Sequence, residues 1–159
     1  ADVAAIGAEL IHFTGYETAV NDIHVPAPIY RLLGSMLGSA DIIAQMADRC
    51  YLEKCRDRLY PEFVAGGLAV RRTPDGGEQV VYASGLDLVT KTPDFFRGAQ
   101  KRLNVELGAS HTFAHGHFGG QNLYLDEIEK NINFAGKIRA DRENAALLHR
   151  TPPNTLKEE

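Results

Sequence analysis

Residues 28–48 read PIYRLLGSMLGSADIIAQMAD. Ile29, Leu32, Leu33, Met36, Leu37, Ala40, Ala44 and Ala47 recur at helical spacing and form one apolar stripe, and Pro28 suits a first helical turn. The spacing predicts a helix from Ile29 to about Asp48. Gly34, Ser35, Gly38 and Ser39 interrupt it. An interior glycine costs about 1 kcal/mol relative to alanine, so two of them one turn apart predict a neighbouring helix passing very close.

Working outward, Val3, Ile6, Leu10 and Phe13 predict a short helix with those residues inward, ended by Gly15. Residues 14–25 read as a loop. Downstream, Leu52, Cys55, Leu59 and Phe63 extend a helix over 51–64, with Pro61 kinking or breaking its end and Gly66-Gly67 stopping it. Thr73-Pro74-Asp75-Gly76-Gly77 is a turn signal between two apolar triplets and predicts a small hairpin near 68–82. Thr92-Pro93-Asp94 reads as the start of a helix through Phe95, Phe96, Ala99, Leu103 and Leu107 to Gly108. Residues 109–120 read as a Gly/His loop, and 121–139 as a last helix with Leu123, Ile128, Ile132 and Ala135 inward. Tyr51, Tyr60, Phe63, Phe95 and Phe96 are expected in the core. The fold class is all-α.

With 159 residues, 44% hydrophobic and 24% charged, the chain is globular rather than disordered. Its net charge of −4 supplies no basic footprint, which argues against duplex nucleic acid and anionic membrane surfaces as partners. No apolar run reaches the roughly 18 residues of a membrane span and no basic secretory region opens the chain, so a soluble, cytoplasmic protein is expected. Cys50 and Cys55 differ by about 140° around a helix and are expected to stay unpaired. The chain begins Ala1-Asp2-Val3 without methionine, as a processed product or a piece of something longer would.

Asp41 is the most informative polar residue. Leu37 lies four positions before it and Ala44 three after, so its carboxylate rises from the flank of the stripe. Such a carboxylate is costly unless it is paired, hydrogen-bonded or bound to a metal. Asp48 lies close to the same face. A salt bridge from Asp41 to Arg49, Lys54 or Arg56 is the structural alternative. His111, His115 and His117 form the one histidine cluster; the surrounding glycines argue against a helix, and without a nearby Cys, Asp or Glu they make a poor preformed metal site. No Lys-Ser/Thr follows Gly119-Gly120, which excludes a P-loop, and Ser84 and Ser110 lack a nucleophile-elbow context.

The segment LGSADIIAQMADRCYLEK, residues 37–54, resembles the last metal-ligand helix of a bacterial branch of the HD-domain metal-dependent phosphohydrolases. Ile11-His12-Phe13-Thr14-Gly15 is similar to that branch's short helix end upstream, and Phe118-Gly119-Gly120-Gln121-Asn122-Leu123-Tyr124 to the start of its C-terminal helix. The resemblance implies an HD-like helical bundle over 1–140 and a partly frayed tail over 141–159. It also implies one or two divalent ions (Mn, Mg, Fe, Co or Zn) held by a His, a His-Asp pair and a final Asp, with a small phosphoester as substrate. The final ligand maps to Asp41, with Asp48 as the competing assignment.

One departure stands out. The six histidines sit at 12, 24, 111, 115, 117 and 149, and none is followed by aspartate. The missing ligands would precede Ala1, so the resemblance implies an N-terminally truncated, C-terminal part of such an enzyme, inactive by itself. The alternative is a non-catalytic helical interaction or regulatory module with a structurally paired Asp41. In the truncated case an apolar patch beside Asp41 is expected to lie open or to support self-association.

Overall fold

Phe13 decides how the first helices pack. In the computed structural model, which describes residues 2–151, helix α1 (Val3–Ile11) is capped by the Asp2 carboxylate, which accepts from the Ala4 N–H at 3.0 Å. Ile6 and Leu10 lie half-buried on its covered side, as expected, whereas Val3 is exposed and corrects that part of the reading. Phe13, just past its end, is fully buried. It packs on helix α2 (Pro28–Ala47), where a Cβ on Gly34 would stand 2.5 Å from the Phe13 ring and one on Gly38 2.3 Å from the Phe13 carbonyl oxygen. Only glycine allows that approach.

The close neighbour of the two glycines is therefore not a helix but Phe13, in the turn after α1, joined at Gly38 by Leu107, whose side chain would lie 3.2 Å from an added Cβ. The consequence is that α2 buries its small-residue face, with Gly34, Ser35, Gly38, Ser39, Ile42, Ile43 and Met46 inward. The large apolar stripe lies on the other side: Leu33 is 44% exposed and Leu37 42%, with Ile29, Leu32, Met36, Ala40 and Ala44 also open. An apolar patch does lie beside Asp41.

Two compact units make up the described residues, one of residues 2–47 and 95–128, the other of 48–94 and 129–151. The first is centred on Phe13, Ile42, Ile43, Met46, Leu103 and Leu107. The second holds a core of Leu52, Cys55, Leu88, Val89, Ala135, Ile138 and Leu148. No helix among the described residues is long and apolar enough to cross a membrane.

In the second unit, helix α3 (Tyr51–Lys54) runs through a π segment, Cys55–Leu59, into α4 (Tyr60–Ala65). The π segment precedes Pro61, whose missing N–H would interrupt a regular ladder there. Gly67, at φ +71°, ends the run. The expected hairpin is present: strands β1 (Val70–Arg72) and β2 (Glu78–Val80) pair antiparallel around the Pro74-Asp75-Gly76 turn.

Helix α5 (Gly85–Lys101) corrects the predicted start at Thr92. Ser84 Oγ accepts from the Asp87 N–H at 3.1 Å and Asp87 Oδ2 accepts from the Ala83 N–H at 2.9 Å, a reciprocal cap that nucleates the helix before Pro93 is reached. Burial of Leu88, Val89 and Thr92 offsets the bond that Pro93 lacks inside it. Phe95, expected in the core, is 47% exposed. A second π segment, Arg102–Glu106, follows.

The predicted loop at 109–120 also holds helical turns, a 3₁₀ turn at Ser110–Phe113 and helix α6 (Ala114–His117). Ser110 Oγ donating to the Leu107 carbonyl at 2.8 Å starts them. Helix α7 (Leu123–Ala140) buries Ile128, Ala135 and Ile138 but leaves Leu123 exposed. Beyond it, a 3₁₀ turn at Arg142–Leu147 is followed by buried Leu148, so this part of the expected frayed tail packs into the second unit. Residues 152–159 of that tail lie outside the described residues. Both cysteines are free thiols, and burial pushes Cys55 up to about 11 against a weaker opposing hydrogen bond from Tyr51.

The glycines separate by what surrounds them. Gly38→Ala should destabilise the protein by about 1–3 kcal/mol, because overpacking against a backbone oxygen exceeds the gain in helix propensity. Gly98→Ala in α5, where an added Cβ meets nothing within 4 Å, should instead stabilise by about 0.5–1 kcal/mol. Urea midpoints of the two variants test the opposite signs.

Candidate functional site

Asp41 occupies the turn of α2 after Gly38, on the border between the buried small-residue face and the open apolar stripe, and is half-buried. Its Oδ1 accepts from Gln45 Nε2 at 2.8 Å, one helical turn on. Among the described residues it takes part in no ion pair. Of the three cations named as its candidate partners, Lys54 bonds to Asp48 and Arg56 to Asp57, and Arg49 is exposed and forms no ion pair with Asp41.

Asp48 has a different local chemistry. Oδ1 accepts from the Cys50 N–H at 2.7 Å and Oδ2 from Lys54 Nζ, while the Asp48 backbone carbonyl accepts from Asn131 Nδ2 at 2.9 Å. Burial works against its charge, yet the bonds from Lys54 and the Cys50 amide outweigh that and hold the carboxyl below the usual aspartate range. This carboxylate orders the entry to α3.

In the first unit two residues that the periodicity does not single out, Tyr16 and Arg102, stack on each other, and the Asp41 charge acts on the Tyr16 hydroxyl. Arg102 is buried; its Nη2 donates to the Phe13 carbonyl at 3.0 Å and to the Gly15 carbonyl, and Nη1 lies 3.6 Å from Glu106. Its guanidinium carbon sits 4.3 Å from the centroid of the Tyr16 ring. Partial burial raises the Tyr16 hydroxyl, Arg102 lowers it, and the charges of Glu106 and Asp41 raise it further, so the phenol stays protonated. The signal available in sequence was an arginine between Ala99 and Leu103 on an otherwise inward stripe.

Of the histidines, His111 is buried with Nδ1 unpartnered, while its backbone carbonyl accepts from Asn122 Nδ2 at 3.1 Å. Burial first, then the neighbouring His115, lowers its affinity for a proton. His115 and His117 are exposed. No three His, Cys, Asp or Glu side chains converge as a metal group among the described residues.

No family model, no curated protein and no solved structure matches the chain.

The shifted groups set two pH windows. Unfolded His111 takes up a proton near 6.5 while folded His111 resists it, so its contribution to stability is complete above that value and is lost as pH falls through it. Asp48 and Asp87, both held below 3.8, lose their contributions only at lower pH. Thermal midpoints should therefore fall between about pH 7.5 and 5 in the wild type, and fall less in His111→Leu. Equal slopes would assign the acid loss elsewhere.

Proposed function

We propose that the chain is the part of an HD-type metal-dependent phosphohydrolase that carries its last metal-ligand carboxylate, Asp41. The observation carrying this reading is the contrast between the two candidate aspartates. Asp41 is half-buried without a cationic partner among the described residues, whereas Asp48 is engaged by Lys54 and the Cys50 amide. A carboxylate in the first condition is available to a cation; one in the second has its charge already met. The resemblance of residues 37–54 to the ligand helix of that family points to the same residue.

The described residues by themselves do not fit a resident divalent ion, since one carboxylate without converging partners will not retain it. The reading therefore requires the first histidine and the His-Asp pair to come from outside these 159 residues. What this chain supplies is the placement of Asp41. Gln45 orients one carboxylate oxygen, and the small-residue face packed on Phe13 fixes the helix that carries it. A helical interaction module is the second reading, favoured by the open stripe through Leu33 and Leu37.

Three outcomes are expected. The purified 159-residue chain should show negligible manganese- or cobalt-dependent turnover of phosphoesters, because its ligand set is incomplete. In the product of the whole gene, Asp41→Ala should remove bound metal and activity while leaving thermal stability near wild type. Asp48→Ala should retain metal and lose about 1–2 kcal/mol of stability, since it breaks both a charged pair and a turn-forming bond. Metal analysis and denaturation of the same preparations measure both effects. Equal metal content in wild type and Asp41→Ala would reject the assignment, and a whole-gene product without the His and His-Asp ligands would favour the interaction module.

A further inference from the structure

The second unit contains an open cavity of about 930 Å³ between α4 and the β1–β2 hairpin. Phe63 and Tyr82 give it an aromatic pair, with ring centroids 5.4 Å apart, and Leu68 and Val80 add exposed apolar surface, Leu68 being 58% exposed. Proteins rarely leave aliphatic and aromatic side chains clustered in an open concavity without an occupant.

The hairpin supplies the second observation. The Val81 N–H donates to the Ala69 carbonyl and the Thr73 N–H to the Gly77 carbonyl, which fixes the ladder-bonded pairs at alternate positions. Between them, the backbone N–H and C=O groups of Val70 and Arg72 point away from β2. None of these groups is bonded among the described residues. β1 lines the cavity with all three of its residues, Val70, Arg71 and Arg72, and the rest of the hairpin's lining is Glu78, Val80 and the Val81-Tyr82-Ala83 run that follows β2. The unbonded edge groups of Val70 and Arg72 therefore belong to residues that border the cavity. A two-stranded ribbon with every strand residue exposed is also marginal alone and gains most from a third strand.

Charge narrows the choice of strand. Arg71 and Arg72 form no ion pair among the described residues, although Arg72 lies directly across from Glu78. By alternation, Val70 and Arg72 share one face and Arg71 lies on the other. An added strand matched to this edge carries apolar residues on the face of Val70 and an acidic residue beside Arg71. We propose that the edge of β1 and the adjoining cavity form a docking site for an extended peptide, apolar at alternate positions and acidic between them, which adds to the hairpin as a third strand.

The test uses the 159-residue chain and a fluorescein-labelled peptide, Ser-Val-Glu-Val-Asp-Val-Ser, followed by fluorescence anisotropy. Saturable binding is expected, with slowed hydrogen exchange at the Val70 and Arg72 amides. Methylating alternate backbone nitrogens of the peptide in one phase should weaken binding at least about tenfold, and in the other phase far less, because only one edge of the peptide faces β1. Arg71→Glu, an exposed change that leaves the ladder intact, should weaken it similarly. No saturable binding, equal affinity for both methylated peptides, or displacement of the peptide by decanoate with the two amides unprotected would overturn the proposal. So would loss of binding in Leu33→Ser/Leu37→Ser but not in Arg71→Glu, which would move the peptide to the stripe on α2.

Discussion

The contact of Phe13 with the Gly34 and Gly38 face of α2 governs the first unit. One carbonyl oxygen carries much of it: the Phe13 oxygen lies where a Gly38 side chain would begin, and it also accepts from buried Arg102. One arm of the buried guanidinium, Nη2, meets the Phe13 and Gly15 carbonyls and Nη1 lies near Glu106, while Nε stays buried without a partner among the described residues. The helix end, the glycine face and the arginine are thereby parts of one arrangement. Removing any of them leaves either an unmet donor or a void beneath Phe13.

From this packing follows the environment of Asp41. Because α2 is turned with its smallest residues inward, its large apolar residues face outward and Asp41 falls on the boundary. There it is half-buried, with Gln45 as its side-chain partner. Seven residues later the chain has left α2, and Asp48 spends its acceptor capacity on the start of α3. Two aspartates that look alike in sequence differ because one sits inside a helix and the other at the mouth of the next.

The fold was legible in sequence where local chemistry decides it. The Pro-Asp-Gly-Gly turn marked the hairpin, Pro28 marked the start of α2, and Gly67 marked the end of α4, each through backbone geometry that few other residues allow. What failed was decided at a distance. Periodicity showed that α2 has an apolar stripe and a small-residue face, but which of them is buried depends on Phe13, some twenty residues away. Pro93 suggested a beginning, while the Ser84–Asp87 cap begins nine residues earlier and sets the helix start. At the candidate site, Asp41 stood out as a carboxylate in an apolar pattern. Tyr16 did not, because its role arises from stacking on Arg102, a contact without a sequence spacing.

The π segments at Cys55–Leu59 and Arg102–Glu106 bear on how sequences of this kind are compared. A π turn is a helix holding one residue more than its hydrogen-bond ladder needs, and it re-phases everything downstream by one position. Leu107 reaches Gly38 in that shifted phase. A related chain with an ordinary α-helix here would be one residue shorter within 102–106, and an alignment that forbids gaps inside helices would set every later residue out of register. The correct correspondence at these two places is a single-residue gap in the middle of a helix, where a gap is conventionally least welcome.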